Sequence, residues 1–425
     1  MLKTGFSRVD ITPPLGTSLE GYFHERHAEG MLDPLYLNAI AISVDEETVV
    51  IITADFEMIN KKYADKIRAT ISERVKLPTD NIMICILHQH TSIAIRDTKN
   101  NSVMEDKAYL DLLWRKFSDV AEMAINDLSE AELFYGIKET DVKLSFIRRY
   151  LLKDGTYMTN PISRLDDVVR PVRDADNNVR LLRFKRDGKN DIALVNFSTH
   201  PDVIGGSLMS ADWPGFTRRF VESDIENVSC ILINGVQGDA NHYDFTSELK
   251  NGYEHSKFMG RTIANTVIDI WDSLTPEKPE SLTSGYETVY NKTRTEGLED
   301  YEEALKISSD PDQSKYTGAE LGRASRILEL RQAPIFQTIS VTVINLGKIG
   351  FVGLGGEPFT QYGDDLRAAA PDRFIIASCC TNGGDGYLPT TEAFKEEGGY
   401  EALSSPCSSD IEEQCIKTAT KLLNK

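Results

Sequence analysis

The chain has 425 residues, of which 40% are hydrophobic, 27% charged and 8% aromatic. A chain of this length and composition can bury one large core or two ordinary ones, so we expect a globular protein. The formal net charge of −19 at pH 7 makes nucleic acid and anionic membrane surfaces poor principal partners, because both would be repelled. A neutral or cationic small molecule suits this charge better.

The amino-terminal residues Met1 to Ser7 contain no apolar run or cleavage site of a signal peptide. No later run approaches the ~18 apolar residues of a membrane-spanning helix. We therefore expect a soluble, cytoplasmic protein with no transmembrane segment, and secretion stays open because removal of a leader would leave the same sequence. The cysteines lack paired zinc-ribbon spacing, which predicts reduced, buried thiols. They are Cys85, Cys230, Cys379, Cys380, Cys407 and Cys415.

Three stretches of the chain share one plan, in which a buried strand, a polar loop, an amphipathic helix and a second buried strand follow one another. In chain order they comprise strand 49–53, helix 61–74 and a strand ending at His88; a strand ending at His200, a helix through 218–222 and strand 230–233; and strand 349–354, helix 361–370 and strand 374–377. This alternation predicts an α/β fold, with a mixed, largely parallel β-sheet core flanked by helices and with site loops at strand ends.

Two further segments lie between these units. Residues 133–184 show alternating β patterns and turns, and residues 297–331 are strongly helical and rich in charge. The charged helices are typical of a solvated face, although they could also form a wall over a site. No low-complexity linker divides the chain, so we predict a single catalytic domain, 1–425, with a helical insertion at about 297–331.

Three of the seven histidines stand at the ends of apolar runs. His88 and His90 follow the run 82–87, and His200 follows the run 192–197. Loops that leave the carboxyl ends of parallel strands are where α/β proteins build their sites, and Glu357 follows a third strand of this kind. Catalytic zinc usually takes about three N and O ligands and leaves one position for water. The placement therefore predicts one metal bound by His88, His200 and Glu357.

Other interpretations of these residues stay open. His90 projects from the same side as His88 in an extended segment, so one of them could bind metal while the other faces the substrate. Glu357 could instead cap the helix that follows it. Asp212 and Asp239 could orient ligands or cap helices. His24 and His27 are better explained as pocket rim or surface.

Several motifs, taken in order, resemble the neutral, non-lysosomal ceramidase family, specifically its zinc-dependent amidase domain. No single motif is decisive, but their order and spacing over nearly the whole chain are specific. The motifs are Arg8-Val9-Asp10-Ile11-Thr12-Pro13-Pro14-Leu15-Gly16, Asp33-Pro34-Leu35-Tyr36, His88-Gln89-His90, Thr199-His200-Pro201, Gly238-Asp239, Gly356-Glu357-Pro358, Gly386-Tyr387-Leu388-Pro389-Thr390-Thr391 and Gly399-Tyr400-Glu401.

The resemblance implies a set of site residues. Zinc, one ion per chain, would be held by His88, His200, Glu357 and Tyr387. Substrate contact or oxyanion stabilisation would come from His90, from one arginine of the pair Arg148 and Arg149, and from Tyr400. The sequence does not say which arginine faces the site.

Two departures from the family pattern bear on the substrate. Asn241 stands where the ceramidases carry a serine that is important for activity. The sequence stops at Lys425, so we expect the additional C-terminal domain of the full-length lipid enzymes to be missing. Both weaken ceramide as the substrate, whereas a metal-activated water needs no side-chain nucleophile.

The sequence therefore predicts a zinc-dependent hydrolase that cleaves an amide, or an ester, of a small-molecule substrate through a metal-activated water. One alternative is a ceramidase proper, acting on N-acyl sphingoid lipids. An apolar acyl-chain tunnel would favour that alternative, and a narrow polar pocket would favour a small soluble amide or sugar-like compound. A second alternative is a noncatalytic metal-binding scaffold of the same fold. The oligomeric state stays open.

Overall fold

The computed structural model describes residues 1–22, 24–97, 101–245, 247, 250–295, 298–316, 318–384, 386–396 and 398–425. The helices of this part of the chain are α1 (Lys61–Val75), α2 (Ser102–Glu105), α3 (Lys107–Asn126), α4 (Asp212–Asp224), α5 (Tyr253–Ile270), α6 (Tyr301–Ser309), α7 (Gly318–Gln332), α8 (Gln361–Ala369), α9 (Thr391–Lys395), α10 (Tyr400–Ser404) and α11 (Ile411–Leu423). None of these helices combines the length and hydrophobicity that crossing a bilayer requires.

The strands range from two to eleven residues. They are β1 (Leu2–Asp10), β2 (Ser18–Leu19), β3 (Arg26–His27), β4 (Gly30–Met31), β5 (Tyr36–Val44), β6 (Glu47–Ala54), β7 (Met58–Ile59), β8 (Ile82–Ile86), β9 (Ala94–Ile95), β10 (Ser129–Glu139), β11 (Phe146–Ile147), β12 (Arg149–Leu152), β13 (Tyr157–Thr159), β14 (Val168–Pro171), β15 (Asn178–Arg186), β16 (Asp191–Phe197), β17 (Leu208–Met209), β18 (Val228–Asn234), β19 (Ala240–Asn241), β20 (Thr275–Glu277), β21 (Leu282–Lys292), β22 (Phe336–Leu346), β23 (Ile349–Leu354), β24 (Glu357–Pro358), β25 (Phe374–Ser378) and β26 (Tyr387–Leu388).

Two large sheets organise the chain. The larger has the strand order β18-β16-β15-β10-β1-β5-β6-β8, with β20 added to β10, and the smaller has the order β21-β22-β23-β25. The three strand–helix–strand units predicted from the sequence are confirmed, because β6 and β8, β16 and β18, and β23 and β25 pair in parallel around α1, α4 and α8. The prediction of an α/β fold with a mixed sheet is thereby confirmed.

The expectation that the sheet is largely parallel needs correction. Apart from the three predicted units, the described neighbours within both large sheets pair antiparallel. For the pairs whose strands are joined by a short loop, the physical reason is the length of the connection. Strands β5 and β6, for example, are joined through Asp45 and Glu46 alone, and a parallel crossover needs a dozen or more residues.

Alternate side chains of the larger sheet enter different cores, so the sheets and helices form four layers. Ile52 belongs to a core that contains Ile67 of α1, whereas its neighbour Ile51 belongs to a core that contains Phe351 of the smaller sheet. A strand directs successive side chains to opposite faces, which makes both faces of β6 apolar. The outer face of the smaller sheet packs against α8 and α11, and β16 and β18 pack against α4 and α5.

Helices α6 and α7 lie in the segment that the sequence predicts to be helical, and Gly297, its first residue, lies outside the described residues. The two helices share a small apolar cluster of their own, which includes Ala304, Ala324 and Ile327. All six cysteines are buried free thiols, as the sequence predicts.

Candidate metal centre

The three strand exits singled out in the sequence converge on one point. His88 follows β8, His200 follows β16, and Glu357 begins β24 directly after β23. The two edges of the larger sheet meet here, because Asn234 Nδ2 donates a hydrogen bond of 3.0 Å to the carbonyl oxygen of Leu87. The smaller sheet is joined to the same edge, since the backbone N–H of Asn382 donates to the carbonyl oxygen of Ile84 at 2.8 Å.

One carboxylate oxygen lies between two imidazoles at the centre of this arrangement. Glu357 Oε2 is 3.3 Å from His88 Nε2 and 3.2 Å from His200 Nε2. His90 Nε2 is 3.4 Å from His88 Nε2, and all four side chains are buried. One nitrogen from each of the three histidines lies within 4.8 Å of the others, so the cluster could hold a metal ion.

In His88 and in His200, the Nδ1 atom lies within hydrogen-bond distance of a backbone carbonyl oxygen. His88 Nδ1 is 2.7 Å from the carbonyl oxygen of Glu57, and His200 Nδ1 is 3.0 Å from the carbonyl oxygens of Gln237 and Ala240. Because a carbonyl only accepts, each Nδ1 carries the hydrogen and donates it. In the neutral ring, Nε2 then directs its lone pair to the centre, which is the usual orientation of a metal-binding histidine.

The atoms at the centre fit a divalent cation. His200 Nε2 and Glu357 Oε2 are buried and have no hydrogen-bond partner in the described part of the chain. Two ligand atoms that bind one zinc ion tetrahedrally at 2.0–2.1 Å lie about 3.3 Å apart, which matches the separations of 3.2 and 3.3 Å. Imidazole nitrogen with carboxylate oxygen is also an ordinary donor set for this metal.

The electrostatics of the cluster couple the protonation state of the carboxylate to those of the imidazoles. Burial by itself raises the pKa of Glu357, yet the imidazoles of His88 and His200 outweigh it and hold that pKa well below its usual range. Burial lowers the pKa of His88, but the carboxylate of Glu357 dominates and raises it to about 10. Burial and the Arg148 charge lower the pKa of His200 to about 4. Burial and the neighbouring imidazoles lower the pKa of His90 well below its usual value.

His88 itself has a left-handed backbone conformation, with φ of 73°. This conformation is uncommon for a residue with a side chain, and such strain is often found at functional sites. Two contacts hold it: the His88 N–H donates to the carbonyl oxygen of Phe56 at 2.8 Å, and Gln89 Nε2 donates to Asp55 Oδ1 at 2.8 Å. Asp55 in turn forms a buried ion pair with Arg218 of α4 at 2.6 Å.

The structure places Tyr387 beside Glu357 and identifies the arginine that faces the site. Glu357 and Tyr387 are paired residues of the short parallel strands β24 and β26. Arg148 Nη2 donates to the Tyr387 hydroxyl at 3.0 Å, and its Nε donates to Glu401 Oε1 at 2.6 Å. Arg149 instead pairs with Glu396 at 2.6 Å, away from Tyr387. Burial and the charge of Glu357 raise the pKa of Tyr387 well above its usual value.

The remaining residues proposed from the sequence occupy different positions. Tyr400 packs edge-on against Tyr387, with ring centroids 5.6 Å apart. Asn241 is buried in β19, next to the carbonyl group that contacts His200 Nδ1, and its Oδ1 has no hydrogen-bond partner among the described residues. His24 and His27 are exposed.

Asp212 and Asp239 both hold backbone near the centre. Asp212 Oδ2 accepts hydrogen bonds of 2.9 and 3.0 Å from the N–H groups of Val203 and Ile204, just beyond His200. Asp239 Oδ1 accepts a hydrogen bond of 2.7 Å from the N–H of Thr360, before α8. Asp212 therefore fixes the loop that follows His200, and Asp239 fixes the residue that precedes α8.

Three residues near the centre carry no role in the sequence-based prediction. Asp202 Oδ1 is 3.4 Å from His90 Nδ1 and accepts a hydrogen bond from the Tyr22 hydroxyl. Glu401 is the buried counter-ion of Arg148. Asp202 stands two residues after His200, and Glu401 directly follows Tyr400. Their positions beside motif residues could therefore have indicated that both belong to the site. Tyr22 comes from a distant loop, and its contact with Asp202 is visible only in three dimensions.

A cavity of about 320 Å³ adjoins the cluster on the side of His90. Its wall consists mostly of polar side chains. They are Tyr22, Arg148, Asn160, Asp202, Asn241, His242, Tyr243 and Asn251, with Val203, Gly205 and Gly252 completing the wall. The cavity wall is thus mostly polar, and two of its residues contact cluster side chains: Asp202 lies 3.4 Å from His90, and Arg148 donates to Tyr387.

Gly238, in the loop after β18, lies against the backbone of Glu357. A Cβ at Gly238 would lie 2.3 Å from the carbonyl oxygen of Glu357. We expect Gly238→Ala to displace Glu357 and to weaken zinc affinity by about 10-fold or more, comparable to the loss of an outer support of a metal ligand. Zinc titration against a competing chelator measures this affinity.

The control is Gly30→Ala, because its Cβ would meet only the end of the exposed Leu208 side chain at 2.9 Å. An unchanged zinc affinity in Gly238→Ala would show that Glu357 does not bind the metal through the conformation described.

Comparisons with known proteins address the fold. No protein-family model and no curated protein sequence matches the chain. Among solved structures, a ceramidase complexed with C2 superposes with a TM-score of 0.75 at 15% identity, covering 99% of this chain and 74% of its own. A neutral ceramidase from Pseudomonas aeruginosa has a TM-score of 0.71 at 14% identity, with the same coverage. Over almost its entire length, the chain therefore has the fold of the neutral ceramidases.

Proposed function

We propose that this protein is a zinc-dependent hydrolase that cleaves an amide, or an ester, bond of a small molecule. The observation that carries the proposal is the convergence of His88, His200 and Glu357 from three strand exits, with two buried ligand atoms that lack any other described partner. The ceramidases with which the chain shares its fold are named for hydrolysis of an amide, which supports the same reaction class.

In this proposal His88, His200 and Glu357 hold the metal, and Tyr387 is the fourth protein ligand. The Arg148 guanidinium donates to the Tyr387 oxygen, which stabilises negative charge on that oxygen and opposes the rise in its pKa that burial and Glu357 cause. A divalent metal bound here supplies Lewis acidity and an acidified water. Asn241 provides no nucleophilic oxygen of its own, which is compatible with attack by water.

The neighbouring side chains then have distinct tasks. Neutral His90 is placed to accept a proton at Nε2 and to contact the substrate, while its Nδ1 faces Asp202 at 3.4 Å. Arg148 lies beside Tyr387 and stabilises an oxyanion that develops on the substrate carbonyl, a role that preorganised donors perform in acyl transfer. Tyr400 packs against Tyr387 and contacts the bound substrate.

Metal removal tests this function. The purified protein is expected to contain about one zinc ion per chain by elemental analysis, and dialysis against a chelator should lower hydrolysis of a chromogenic acyl amide or ester by at least ~100-fold, because the water then keeps its ordinary pKa. Zinc added in equimolar amount should restore the rate, and magnesium is the control. Full activity of the metal-free protein would contradict the proposal, and a chain that binds zinc but hydrolyses no acyl compound would favour a noncatalytic scaffold.

A further inference from the structure

We propose that the substrate is a small, neutral, polyhydroxylated N-acyl amine, of the amino-sugar kind, bound in the polar cavity beside the metal centre. This inference rests on the proposed hydrolase function and adds the substrate class. Its basis is the chemistry of the cavity wall. The proposed substrate class differs from the N-acyl lipids.

The wall contains buried polar atoms that have no protein partner among the described residues. Asn241 and His242 are each only 4% exposed, and both line the cavity. Asn241 Oδ1 and Asn160 Oδ1 have no hydrogen-bond partner within the described residues. A buried polar group that stays unpaired destabilises the protein, because it has lost its hydrogen bonds to water. A ligand that carries several hydroxyl groups can pair with these atoms at once, since each hydroxyl both donates and accepts.

The charges of the wall disfavour an anionic substrate such as an N-acyl amino acid. The Arg148 charge is already balanced by the buried carboxylate of Glu401 at 2.6 Å. Asp202 adds a carboxylate to the same wall, at 3.4 Å from His90. A second carboxylate brought by the substrate would therefore meet repulsion, and the described residues of this wall offer it no free cation as a partner.

The wall is equally unsuited to a long acyl or sphingoid chain. Pockets for apolar ligands are lined mostly by hydrophobic side chains. Among the described residues that line this cavity, Val203 supplies the aliphatic side chain, and Tyr22 and Tyr243 supply aromatic rings. These two rings can pack against the C–H faces of a sugar, while the amide and imidazole side chains of the wall can form hydrogen bonds with its hydroxyl groups.

A matched pair of substrates tests the inference on the zinc-loaded protein. N-acetylglucosamine and N-acetylcyclohexylamine share a six-membered ring and an acetamide, but only the first carries hydroxyl groups. We expect kcat/KM to be at least ~100-fold higher for the sugar, because a site built to pair with hydroxyl groups rejects the analogue that lacks them. N-acetylsphingosine serves as the lipid competitor. Calorimetric binding of the same three compounds to the metal-free protein gives a readout that does not depend on turnover.

Asn241→Ala should reduce the preference for the sugar over the cyclohexyl compound by about 10-fold, the worth of one buried hydrogen-bond partner. The matched control is Asn190→Ala, an exposed asparagine before β16, at the end opposite to His200. It should leave the preference unchanged. An equal effect in both variants would overturn the assignment of Asn241 to the substrate wall.

The outcomes separate the two proposals. Preferred hydrolysis of N-acetylsphingosine or of N-acetylcyclohexylamine would overturn the sugar-like substrate and leave the hydrolase function standing. Binding of the sugar to the metal-free protein, with no hydrolysis of any amide or ester after zinc is added, would support the cavity assignment and overturn the hydrolase function. Absence of sugar binding in both forms would overturn the inference.

Discussion

Replacing His200 with Ala is expected to remove both the bound zinc and the catalytic turnover. His200 is fully buried, its Nδ1 is fixed by two carbonyl groups, and its Nε2 lies 3.2 Å from the carboxylate of Glu357. Loss of an outer hydrogen-bond partner of a metal ligand costs about 10–100-fold in affinity. Loss of the ligand itself should exceed ~100-fold, and zinc occupancy by elemental analysis together with hydrolysis of an acyl ester measures both effects.

The control for this substitution is His27→Ala, an exposed histidine that contacts Glu25 at 2.8 Å. It should retain full zinc occupancy. Circular dichroism establishes whether His200→Ala is still folded, and His88→Ala offers an independent test if it is not. Full zinc occupancy in a folded His200→Ala protein would contradict the proposed metal centre.

Replacing Asp55 with Ala is expected to destabilise the fold by about 3–5 kcal/mol, because it leaves the buried Arg218 charge without a partner. Asp55 is fully buried and accepts hydrogen bonds of 3.0 and 2.6 Å from Arg218. It also accepts hydrogen bonds from Gln89 Nε2 and from the N–H of Tyr36, each of 2.8 Å. Gln89 stands between His88 and His90, so zinc affinity should fall as well. Urea unfolding measures the stability and chelator competition measures the affinity.

The double variant Asp55→Leu with Arg218→Met separates the charge from the packing. Removing both members of a buried ion pair often costs little, whereas removing one leaves an uncompensated charge. The double variant should therefore be more stable than Asp55→Ala. If instead it is less stable, the apolar packing around the pair, and not the unpaired charge, dominates the cost.

The sequence allowed the parallel units to be predicted because their signals are local. A buried apolar run followed by a polar loop and an amphipathic helix predicts a crossover that is long enough to join two parallel strands. The ends of β8 and β16 then locate the loops that contain His88 and His200. The antiparallel remainder was harder to predict. Pairs such as β1 and β10 join strands far apart in the chain, and the choice of partner depends on packing that no local pattern contains.

The residues of the candidate metal centre also divide into those that local sequence patterns predict and those that they do not. Its histidines follow apolar runs and could be proposed from position, as could Glu357. The choice of Arg148 over Arg149 could not, because both belong to one extended segment and only the positions of Tyr387 and Glu396 distinguish them. The polar wall likewise depends on Tyr22, Asn160 and Asn251 coming together from separate loops.

The position of the metal centre at the junction of the two sheets has a consequence for stability. His88 and His200 leave the larger sheet, and Glu357 leaves the smaller one, so an ion bound to all three acts as a cross-link between layers. A ligand that binds only the folded state adds stability that grows with the logarithm of its free concentration. The free concentration of the ion would thus affect how stably the two sheets are held together, in addition to whether the site can react.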